Sequence, residues 1–116
     1  MISQNDFERL IQGLKEKKPF LFSVREDGTL EINLFVLQEV LKQLGYHLDY
    51  NYYWDMDAYC VDTILQKQGK HVYRSTICKD GVSKENMSFD SITAMEISLL
   101  EAALTKIFKE FFKLNL

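Results

Sequence analysis

The chain has 116 residues, 47% hydrophobic and 27% charged, the size and composition of one α+β domain over residues 1–116. Its net charge of −3 argues against a protein that works mainly by non-specific binding to nucleic-acid phosphates, because that affinity comes from an excess of cations. No apolar run reaches the roughly eighteen residues that a membrane span needs.

Ser3 and Asp6 mark a helix start, and Phe7, Leu10, Ile11 and Leu14 follow at helical spacing. Lys15, Lys17 and Lys18 close this helix and Pro19 stops it, so a short helix over the sheet is expected. Phe20 to Val24 is a compact apolar run, Glu26-Asp27-Gly28 signals a turn, and Thr29 to Ile32 continues as a second strand. Asn33 caps the next helix, whose buried stripe is Leu37, Val40, Leu41 and Leu44, and Gly45 suits its C-terminal cap.

From Tyr46 to Trp54 the residues alternate as in a strand. Tyr46, Leu48, Tyr50, Tyr52 and Trp54 share one face; His47, Asp49, Asn51, Tyr53 and Asp55 share the other. Residues 58–66 suit a strand or a helix; strand is preferred, because Gln68-Gly69 then turns into the strand His71 to Cys78. Lys79 to Ser91 reads as a loop, long enough to suggest use in contacts. Thr93 to Lys113 reads as one amphipathic helix, with Thr93 and Glu96 as a capping box. Its stripe is Leu99, Leu100, Ala103, Leu104, Ile107, Phe108 and Phe111, and the outer half of Phe111-Phe112 is a further contact candidate. The expected order is α-β-β-α-β-β-β-α, with an antiparallel sheet of about five strands and helices packed on one face.

Motifs for chemistry are sparse. Cys60 and Cys78 read as buried small hydrophobes of a cytoplasmic protein, since the N-terminus carries no signal-peptide pattern. Together with His47 or His71 and Asp49 or Asp62 they sketch a nucleophile, base and acid, but no catalytic signature surrounds either cysteine. No closely spaced ligand pairs suggest zinc, and no glycine-rich loop suggests a nucleotide, so neither cofactor nor metal is expected.

One contrast stands out. From Gly45 to Asp62 the chain carries Asp49, Asp55, Asp57 and Asp62, several tyrosines and Trp54, with no Lys or Arg. Aromatic side chains supply contact area at low entropic cost and acids steer a basic partner. Asp49, Asn51, Tyr53, Trp54, Asp55 and Asp57 are therefore the candidate protein-docking residues. Lys67, Lys70 and Arg74 follow on the next hairpin and form the alternative, a nucleic-acid contact. The acidic and basic halves also suit self-association into a homo-oligomer.

Ile32-Asn33-Leu34 opening a helix that ends at Gly45-Tyr46, a hairpin after it, and a terminal helix from Thr93 to Phe108 together form a pattern of elements. In that pattern the chain resembles small orphan α+β proteins of phages and other mobile elements. The resemblance implies a cytosolic, non-enzymatic binder of a host protein, of inhibitor or immunity type. It brings no catalytic residues with it.

Overall fold

The computed structural model describes all residues 1–116. The first helix, α1, spans Gln4–Lys17. Ser3 caps it by accepting a bond from the Asp6 amide, and Phe7, Ile11 and Leu14 are its buried stripe. Lys18 leaves helical geometry, and Pro19 opens a single 3-10 turn, Pro19–Leu21. Rather than lying over the main sheet, α1 packs on α2 and the C-terminal segment; Phe7 meets Phe108 with ring centroids 5.6 Å apart.

The next two strands are shorter than the sequence suggests. Strand β1 is Ser23–Val24 and β2 is Leu30–Glu31, paired antiparallel as a separate ribbon. The proline-started turn consumes the front of the apolar run, and Phe20 is left 80% exposed. Asp27 holds the tight turn by accepting from the Thr29 amide at 2.9 Å and the Thr29 hydroxyl at 2.6 Å. The expected single sheet of about five strands is therefore corrected to two antiparallel sheets of two and three strands.

Helix α2, Leu34–Gln43, begins where Asn33 accepts bonds from the amides of Phe35 and Val36. It buries Leu34, Val36, Leu37, Val40 and Leu41. Gly45 follows with φ of 82°, a left-handed turn that glycine makes without a steric penalty.

Strands β3 (Tyr46–Asp55), β4 (Ala58–Lys67) and β5 (Lys70–Asp80) form a meander in that order. Two-residue turns join them, so residues 58–66 are strand. Tyr59, Val61, Thr63 and Leu65 of β4 point toward the helices and are all buried. Thr63 is the polar member of that row, and its hydroxyl pairs with Ser75 Oγ at 2.8 Å across the ladder.

The expected loop over 79–91 is mostly structured. Lys79 and Asp80 finish β5, a 3-10 turn covers Lys84–Asn86, and helix α3 begins at Phe89. Its cap is Ser88, whose side chain accepts from the Ser91 amide. Thr93 is an interior residue that donates its hydroxyl to the Phe89 carbonyl at 3.0 Å, so no capping box forms with Glu96. The α-helical part runs Phe89–Lys106, and Ile107–Phe111 continues as a π turn. That wider turn brings Phe112 into the core and leaves Phe111 half-buried, so neither offers the open contact face expected from α-helical spacing.

The main core joins α1, α2, Leu65, Leu100, Leu104, Ile107, Phe108 and Phe112. Each large side chain fully buried there contributes about 1.5–3 kcal/mol. A smaller cluster of Tyr59, Val61, Met95, Leu99 and Ala103 seats the first half of α3 on the sheet. Close to the ends of the chain, Gln4 donates to the Asn115 carbonyl at 3.2 Å and accepts from its amide at 2.9 Å.

Candidate functional site

Helices cover one face of the meander, and the opposite face carries the other half of each strand. The register sets its rows: Tyr53, Cys60 and Cys78; Asn51, Asp62 and Thr76; Asp49, Ile64 and Arg74. Strand alternation puts these residues on the face away from the helices.

Two carboxylates organise this surface. Asp49 accepts from Gln66 Nε2 at 2.5 Å and pairs with His47 Nε2 at 2.8 Å. Asp62 accepts from the Tyr53 hydroxyl at 3.3 Å and from the Thr76 hydroxyl. Desolvation, then the neighbouring Asp62 charge, pushes the Tyr53 phenol above its ordinary pKa. The phenol thus stays a neutral donor at physiological pH. A shallow concavity lies between Asp49, Asn51, Asp62, Ile64 and Arg74.

The six docking candidates do not share one surface. Asp49, Asn51, Tyr53 and Asp55 lie on the open face, and Asp57 sits in the exposed turn at its end, where its carbonyl accepts from the Val82 amide at 3.0 Å. Trp54 points to the helix side and packs on Tyr59, with centroids 4.6 Å apart. Sequence reasoning did not assemble Gln66, Thr76 and Arg74 with the acids of β3. The signal lay in the two turns together: Met56-Asp57 fixes the β3–β4 register and Gln68-Gly69 the β4–β5 register.

The three basic candidates are also divided. Lys67 and Lys70 face each other beside the second turn. Lys67 Nζ lies 4.6 Å over the Tyr46 ring on the helix side, whereas Arg74 stands among the acids of the open face.

Cys60 and Cys78 occupy directly opposed positions on β4 and β5 and are joined as a disulfide. The reading of both as free, buried hydrophobes is corrected: Cys60 is buried, Cys78 is exposed, and neither is a free thiol. A bridged pair offers no thiolate nucleophile. No three His, Cys, Asp or Glu side chains gather as metal ligands. On the helix side, Tyr59 donates to Glu96 Oε2 and Tyr52 to the Glu96 carbonyl, both at 2.8 Å.

No helix is long and apolar enough to cross a membrane. No protein-family model, curated protein or solved structure matches this chain.

Proposed function

We propose that this chain is a small non-enzymatic interaction protein, of the kind mobile elements encode as inhibitors, adaptors or immunity-type partners. It docks a basic protein partner on the uncovered face of β3–β4–β5. The observation that carries this reading is the clustering of Asp49, Asp55 and Asp62 with Asn51 and Tyr53 on a face that no helix covers. Acids on such a face steer a cationic partner, and the neutral Tyr53 phenol adds a hydrogen-bond donor and apolar area. Trp54 is left out of the docking set because it packs on Tyr59. The cytosol is the proposed location. The Cys60–Cys78 bridge weighs the other way, because such bonds persist in oxidising compartments.

The second reading, contact with single-stranded nucleic acid through Lys67, Lys70 and Arg74, is weakened by their division between two surfaces. One experiment separates the two. Immobilised protein is exposed to bacterial lysate beside the variant Tyr53→Ala with Asp55→Lys. The docking reading expects a basic protein captured by the wild type, released by salt, and lost in the variant. Equal capture by both discards this face. Salt-sensitive binding of a labelled single-stranded oligonucleotide, abolished by Lys67→Glu with Lys70→Glu, favours the second reading.

A further inference from the structure

Strand β3 is an outer strand of the meander. None of its backbone groups bonds to anything except β4, because no other backbone or side-chain bond reaches the main chain of Tyr46–Asp55. A two-residue turn closes β3–β4 between Asp55 and Ala58, and such a closing pair exchanges both of its bonds. By alternation, the N–H and C=O groups of Leu48, Tyr50, Tyr52 and Trp54 point outward from the sheet.

Folded proteins protect an edge of this length with lysines, proline, bulges or a covering element. The other outer strand, β5, follows that rule. It carries Lys70, Arg74 and Lys79, and its pairing is interrupted by a bulge at Leu65/Gln66. Strand β3 has no lysine, no proline and an unbroken register. Apolar surface flanks the same edge on the helix side: Phe35 is 57%, Tyr50 46% and Ile97 47% exposed around one groove.

We propose that the outer edge of β3 pairs antiparallel with β3 of a second copy of this chain, about a two-fold axis at Asn51. The distribution of charge along the strand selects this occupant and this register. Centring the axis at Asn51 sets His47 opposite Asp55 and Asp49 opposite Tyr53, a donor facing an acid at each place. On the helix side the same register sets Leu48 opposite Trp54 and Tyr50 opposite Tyr52. Moving the axis to Asp49 sets that acid against itself, and moving it to Tyr52 sets Asp49 against Asp55. Like charges directly opposed on a sheet are destabilising. Centring at Tyr50 avoids that clash but leaves Asp55 facing Gly45 with no donor side chain. The strand is therefore self-complementary when turned about Asn51. The second copy's strand and helices would also cover the groove at Phe35, Tyr50 and Ile97. The pairing is made by the main chain of the β3 edge, but its register draws on Asp49, Tyr53 and Asp55 of the docking face, so the test below uses Tyr50, which lies outside that face.

The test is light scattering after size-exclusion chromatography over a range of concentrations, with hydrogen exchange on the same samples. The expected mass is twice the 13.6 kDa of one chain, with the amides of Leu48, Tyr50 and Tyr52 slowing as concentration rises. Tyr50→Pro removes an outward donor without a β4 bond to lose, and should give a folded monomer by circular dichroism. Tyr50→Lys keeps the backbone, places a charge at the edge, and should also give a monomer should the proline variant not fold. A wild type that stays monomeric at every concentration overturns the proposal, including one that instead recruits an added peptide along β3. So does a dimer that persists in Tyr50→Lys, or an open-ended series of larger species.

Discussion

Asn33 performs two tasks at once. Its Oδ1 accepts from the amides of Phe35 and Val36 at 3.0 and 3.2 Å, and its Nδ2 donates to the Leu21 carbonyl at 3.0 Å. It therefore starts α2 and ties down the segment before β1. Asn33→Ala should cost about 1–2 kcal/mol in urea unfolding. Asn33→Asp keeps the acceptor and loses the donor, so it should cost less. The tyrosines against the helices give a second prediction. Burial first, then the nearby Glu96, raises Tyr52 and Tyr59 to about 12, and burial with Glu110 raises Tyr73 to about 12. Unfolded tyrosine ionises near 10. Between those values the unfolded state holds fewer protons, so stability is complete below pH 10 and falls as pH rises toward 12. Melting temperature followed through that window should drop alongside a rise in phenolate absorbance. Tyr59→Phe should flatten the drop, and an unchanged slope would remove Tyr59 from the account.

Elements with a strong period were legible, and those governed by a local exception were not. The alternation of Tyr46 to Trp54 and the stripe of α2 correspond to β3 and α2 because both elements obey a single rule along their length. The β1–β2 ribbon was overestimated because Pro19 turns the chain before the apolar run can extend. The start of α3 was placed late because Ser88, four residues before Ile92 and outside the apolar stripe, is the residue that caps it. The open face was half legible: β3 supplied its acids, but the partners from β4 and β5 needed the register. The disulfide depended on the same register, since spacing in sequence alone does not bring Cys60 against Cys78. With a sequence separation of 18 between the two cysteines, reduction should remove about 3 kcal/mol of stability through the freed unfolded chain. Urea unfolding with and without dithiothreitol measures this, and equal midpoints would mean that the bond adds no net constraint.

Across the whole molecule, the helices and the main core hold one side of a three-stranded sheet while the other side stays polar. This leaves two kinds of unused bonding capacity, the side chains of the open face and the main chain of the β3 edge. They call for different partners: Tyr50→Lys addresses the edge alone, whereas Tyr53→Ala with Asp55→Lys changes the face and also the pairs that set the edge register. The π turn at Ile107–Phe111 bears on the molecule in another way. A π turn holds one more residue than the α turn it replaces, and here that residue sets the phase of everything after it. Removing Lys109, an exposed side chain, would take out that extra residue and let an ordinary α turn carry Phe112 and Leu114 to the same places in the core. The fit of this last turn depends on a count of residues. The segment should therefore tolerate loss of that one residue, whereas gain of a further one would swing Phe112 and Leu114 off the core.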